Sequence, residues 1–304
     1  MGPTFQFLGV ETELFAPSLI PLLGVLAAAL LYLRACSILA ERGRHIGMGQ
    51  RVSYFLGLGL ILIATQTFVD SVGEHALVSL HMAQHMLIAD LPAPLLLYGA
   101  RAPLLYFFWP RSVLVTFARL TLLRRFWAWL RRPLVALTVW LVTLFAWHAP
   151  PLYEAALTNR LVHDLEHITF AFTGILAWWP LLDPTHHRTE GRFWKAAYVF
   201  AARMVGGILG ILLIIWPRQI YGTYGDRARE YGMSIITDQQ IAGGIMMGVD
   251  TVIVLFGVTY FLVTMDRGEE SRDDIPDAAR AAAMERSEAD ARSTLASAAA
   301  RDKR

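Results

Sequence analysis

"HMAQHMLIADLPAP", residues 81–94, is the stretch on which the fold turns. It begins with two His-Met pairs four positions apart and runs into apolar sequence holding Asp90, Pro92 and Pro94. Residues at i and i+4 share one face of a helix, so His81 and His85 form a stripe. The surrounding residues, approximately 76–98, are apolar enough to cross a bilayer, whose hydrocarbon core of roughly 30 Å needs about 20 helical residues. Six further stretches qualify, near 17–38, 53–70, 133–149, 161–182, 194–216 and 239–265. The expected fold is all-α, a polytopic membrane protein built as a bundle of seven transmembrane helices.

Composition points the same way. The 304 residues are 55% hydrophobic and 17% charged, with a mean hydropathy of +0.44. That is too little charge to clothe soluble domains of this length. A net charge of +2 carries no electrostatic footprint for nucleic acid. The single cysteine, Cys36, excludes an intramolecular disulfide framework and any CxxC motif. The first residues lack the basic region of a signal peptide.

Residues 101–132 mix seven arginines with aromatics and leucines around Pro110, and read as an interfacial helical segment between spans three and four. The basic connections (Arg42, Arg44 and Arg51; residues 101–132; Arg188, Arg192 and Lys195) alternate with poorly basic ones. By the positive-inside rule the N-terminus is outside and the C-terminus cytoplasmic. Residues 1–265 form the expected seven-helix membrane domain. Residues 266–304, Ala-rich and charged in both signs, are an expected cytoplasmic tail, partly helical or disordered.

In that orientation His81, His85, His148, His163 and His167 all fall at the outer level, with His75 in an outer loop and His45, His186 and His187 on the inner side. Ionisable groups within a span face the bundle interior or a wet cavity. Imidazole is the commonest protein metal ligand, and thioether sulfur is soft enough to hold Cu(I). The pattern therefore predicts an outward-facing copper site of His81, His85, His163 and His167, with His148 at its rim and Met82 and Met86 beside it. Cu(I) is favoured if the methionines ligate, although each points about 100° from the histidine stripe. Glu166, Asp164, Asp238 and Gln239 are expected to orient the rings or support them from behind. Asp90 is read as a local hydrogen-bond partner within the span, with Arg203 as a candidate mate.

The blocks "HMAQHMLIADLPAPLLLYGA", "HDLEHITFAFTGILAWWPLL" and "DQQIAGGIMMGVD", in this order, resemble the multi-pass CtaG family of cytochrome c oxidase assembly factors. The resemblance spans roughly residues 15–265. His81, Met82, Gln84, His85 and Met86 match the first block, His163, Glu166 and His167 the second, and Asp238, Gln239, Ala242 and Gly243 the third. "GARAP" and Asp90 depart from the family's pattern without touching the proposed ligands. The resemblance implies the bacterial inner membrane, a non-enzymatic role in assembling haem-copper oxidase, copper delivery, and oxidase subunits and other copper chaperones as partners.

Three other readings fit some of the same residues. "HDLEH" matches HxxEH, an inverted zinc-protease pattern with Glu166 as base and His81 or His85 as third ligand. Facing histidines on two spans could ligate haem. A metal-free scaffold would use the histidines only to tie helices together.

Overall fold

The computed structural model describes residues 4–15, 18–184 and 193–273. Strands β1 (Thr4–Phe7) and β2 (Val10–Glu13) form an antiparallel hairpin, an element outside the all-helical expectation. Leu8 and Gly9 both take positive φ, 49° and 85°, at its two-residue turn, the twist that closes tight hairpins. Phe7 packs on Phe68 and Tyr231, with ring centroids 5.1 and 6.1 Å away, which fixes the hairpin to the same end of the molecule as the histidines.

Helices α1 (Leu19–Glu41), α2 (Met48–Gln66) and the short α3 (Phe68–His75) lead into the decisive stretch. There α4 (Val78–His85) passes into a π-helical turn over Met86–Asp90, and the path resumes as α5 (Pro92–Gly99). Pro92 and Pro94 supply no backbone N–H, which suits the point where the α-helical ladder is interrupted.

The arginine-rich region folds as α6 (Arg111–Arg119) and α7 (Thr121–Leu130), in which Leu130 alone is buried. Then follow α8 (Pro133–His148), α9 (Pro150–Thr158), α10 (Arg160–Leu182), α11 (Phe193–Ile215) and α12 (Ile235–Asp273). The expected tail beyond Asp273 lies outside the described residues, as do His186 and His187.

Leu19–Glu41, Met48–Gln66, Phe193–Ile215 and Ile235–Val263 are long and apolar enough to cross a membrane, and α7 with α8, bent by 77°, makes a fifth candidate. The chain is an all-α membrane protein apart from its hairpin. The two remaining expected spans do not stand out by length and composition, for a physical reason. One is interrupted by the π turn, and α10 begins with Arg160, His163, Asp164, Glu166 and His167.

Glycine lets the site-bearing segments approach. A Cβ on Gly174 of α10 would stand 2.7 Å from the Ala89 carbonyl oxygen, so α10 lies backbone to backbone against the π turn. Beside them, α4 packs on α3 and α12, and α11 on α12.

Candidate metal centre

Two helices present the histidines, and each has its start fixed by a side chain. Asn159 caps α10, its Oδ1 accepting from the backbone N–H of Leu161 at 3.0 Å and Val162 at 3.4 Å. Helix α4 is capped from a distance: the Asp238 carboxylate of α12 accepts from the N–H of Val78 at 2.6 Å and of Ser79 at 3.1 Å. Phased this way, α4 turns His81 and His85 inward, and α10 turns His163, Glu166 and His167 toward them. All five are buried, none more than 4% exposed.

The rings assemble closely. Centroids lie 4.4 Å apart for His81–His85, 4.1 Å for His163–His167, 5.5 Å for His81–His163 and 6.0 Å for His85–His167. Helix α10 packs directly on the π turn and on α5, which continue the chain from the helix that carries His81 and His85. Ligand atoms sort into two groups, His81 with His85 and Glu166, and His163 with His167 and Asp70, each group's atoms lying within 4.8 Å of one another.

Glu166 sits between the first pair of rings, Oε2 3.7 Å from His81 Nε2 and Oε1 3.5 Å from His85 Nε2. Those distances exceed a hydrogen bond, and neither carboxylate oxygen nor either Nε2 has a hydrogen-bond partner. The tautomer of His81 follows from its other nitrogen. Tyr224 donates its hydroxyl proton to the Gly73 carbonyl at 2.7 Å, so its oxygen accepts from His81 Nδ1–H at 3.3 Å. In the neutral ring, His81 Nε2 then offers a lone pair to a carboxylate oxygen.

Two acceptors facing each other in a buried space are unfavourable unless a cation lies between them. Two donors at roughly 2.0–2.1 Å from a tetrahedral ion stand about 3.4 Å apart, close to the separations seen. The residues fit a metal ion.

His148 lies at the edge, its ring centroid 5.5 Å from that of His85. Its Nδ1–H donates to the Leu144 carbonyl at 2.8 Å, which leaves the Nε2 lone pair facing the Met82 sulfur at 3.1 Å. Imidazole nitrogen and thioether thus form an adjoining soft pair. Met86 lies in the apolar core with Phe170 and Trp140. Asp164 stands 3.5 Å from Arg160.

Asp238 and Gln239 are not beside the rings. Asp238 holds α4, and Gln239 accepts from Ile220 N–H at 3.0 Å while donating toward the Leu213 carbonyl at 3.2 Å. Both organise the helices that carry the site.

Three contributors were not singled out from sequence as site residues. Asp70 stands in the short α3, and Tyr224 lies in the connection between α11 and α12, distant in sequence. Tyr153 of α9 bonds Tyr224 hydroxyl to hydroxyl at 3.0 Å.

Fold and site together define a class: a helical membrane protein with a buried, histidine-rich cluster toward one end of its bundle. Residues 30–267 match the family model described as cytochrome c oxidase caa3 assembly factor (Caa3_CtaG), and the chain belongs to that family. Membership indicates a role in cytochrome c oxidase assembly and an interaction with that oxidase. No curated protein and no solved structure matches the chain.

Proposed function

We propose that this protein binds copper from the outer face of the bacterial inner membrane and hands it to cytochrome c oxidase during assembly. His81, His85 and Glu166 hold the ion, and Tyr224 keeps the His81 lone pair aimed inward. The set of two imidazoles and a carboxylate suits copper in its divalent state, and the neighbouring His148–Met82 pair supplies the nitrogen and thioether that Cu(I) prefers. The observation that carries the reading is the buried approach of Glu166 to the two Nε2 atoms without a hydrogen bond to either.

The proposed topology has seven spans with the N-terminus outside. The path Val78–Gly99 covers 22 residues and α10 covers 23, about 33 and 35 Å at 1.5 Å per residue, which is ample for a bilayer. Polar groups in these two spans face the bundle interior, where their burial is tolerated. Helices α6 and α7 lie in the inner interface, where arginines and the exposed Phe117, Leu122 and Phe126 meet headgroups and acyl chains.

Cells carrying Glu166→Gln test the assignment. A direct ligand lost should lower copper affinity by more than the roughly 10–100-fold typical of a residue that only orients a ligand, and leave oxidase protein short of copper. Fully active oxidase at limiting copper in His85→Ala and Glu166→Gln strains would overturn the proposal.

A further inference from the structure

Asp70 is buried in α3 and shares a group of ligand atoms with His163 and His167. We infer that these three residues form a second metal position, separate from His81–His85–Glu166, which takes the ion first from the outer side. The inference rests on the copper reading of the neighbouring position. Both ring nitrogens of His163 and both of His167 are buried without a hydrogen-bond partner, an arrangement that costs stability unless something binds there.

Asp70 is held in place for the task. Its Oδ1 accepts from Gln84 Nε2 at 2.6 Å, and Gln84 is itself fixed by donating to the Ala64 carbonyl at 3.0 Å. Its Oδ2 faces Arg160 Nη1 at 3.4 Å. Arg160 is 43% exposed and stands 3.2 Å from Glu74 and 3.5 Å from Asp164.

One guanidinium among three carboxylates leaves the mouth net negative, which attracts cations. The same guanidinium occupies Asp70 Oδ2 until a cation displaces it toward Glu74 and Asp164. Two imidazoles and a carboxylate are a donor set suited to cupric ion. His85 and His167 have ring centroids 6.0 Å apart, so an ion can pass between the two positions by exchange of neighbouring imidazoles.

The test is a titration of the full-length protein, stripped of metal in detergent, with cupric ion alone. Bound equivalents are counted by dialysis and electron paramagnetic resonance. Wild type should bind two equivalents and show spectral broadening from a neighbouring copper. Asp70→Asn with His163→Ala should leave one unbroadened equivalent, and so should His85→Ala. One equivalent in wild type, lost in either variant, would mean a single shared site; it would overturn the second position and leave the copper reading standing. No bound copper at all would overturn both.

Arg160→Gln changes only the partly exposed counter-ion and guards against a folding defect. It should tighten the second position roughly two- to fivefold, the scale of one half-exposed ion pair. Unchanged or weaker binding there would overturn the displacement step.

Discussion

Two buried charged clusters share this bundle, and they follow opposite rules. In one, Arg203 of α11 donates to Asp90 at the end of the π turn and to Asp250 of α12 at 3.0 Å, with its guanidinium 4.9 Å from the Trp140 ring centroid. Among the described residues none of these three charged groups has a buried polar atom left without a partner. In the other, seven imidazole nitrogens and both Glu166 oxygens have none. The π turn from Met86 to Asp90 joins them, with His85 just before it and Asp90 at its end.

A chain able to satisfy three charges within its helices has the means to satisfy histidines as well. Each buried unsatisfied group costs about 1–3 kcal/mol. Its persistence at one cluster and absence at the other is the contrast on which the copper proposal rests.

The largest expected effect breaks the pin. Arg203→Ala leaves two carboxylates buried without their cation and should cost about 3–5 kcal/mol, read as a fall in thermal unfolding temperature in detergent. Replacing all three by Met, Leu and Leu should recover most of that loss, because well-packed apolar residues commonly stabilise as well as a buried ion network. Failure of the triple variant to recover would give the triad a role beyond packing.

The histidine cluster should respond in the opposite sense. His85→Ala and His167→Ala should each abolish copper binding at the position that loses its ligand, while metal-free stability falls by under about 2 kcal/mol, since no native hydrogen bond of those rings is lost. A loss of fold equal to that of Arg203→Ala would make the two clusters alike and support the scaffold reading.

Gly174→Ala sits between the two clusters. A Cβ placed 2.7 Å from the Ala89 carbonyl oxygen must push α10 off the π turn, an overpacking cost of about 1–3 kcal/mol. Because α10 carries Glu166, copper affinity should fall with stability, in contrast to the separate responses above. The smallest effect is expected at Asp238→Ala, which removes the distant cap of α4 and should cost about 1–2 kcal/mol without changing copper stoichiometry.

Much of the site was legible because helix periodicity is a local property. The i, i+4 spacing of His81 with His85 and of His163 with His167 is enough to predict two inward stripes at one membrane level. What periodicity cannot give is closure between distant segments. Asp238 lies about 160 positions from the N–H groups that it caps, and nothing local distinguishes capping from a role beside the histidines. Glu166 reads as an orienting acid because it stands in the same motif as His163 and His167, yet the packing of α10 against α4 aims it at the other pair.

Asp250 hides in an apolar run until Arg203 is seen opposite it. The π turn is invisible to a 3.6-residue template, although Asp90 and the two prolines mark the place. The hairpin at Thr4–Glu13 is too short for its alternation to compete with the apolar blocks that follow.

The central claim is that the unsatisfied cluster exists to hold copper. It is tested most directly by the metal content of full-length protein purified without chelators from copper-replete cells, alongside His85→Ala and Arg203→Lys made in the same way. Copper in wild type and in any Arg203→Lys protein that folds, with a lower copper content in His85→Ala, is the predicted result. Wild-type protein that stays free of copper, or copper retained in full by His85→Ala, would contradict it.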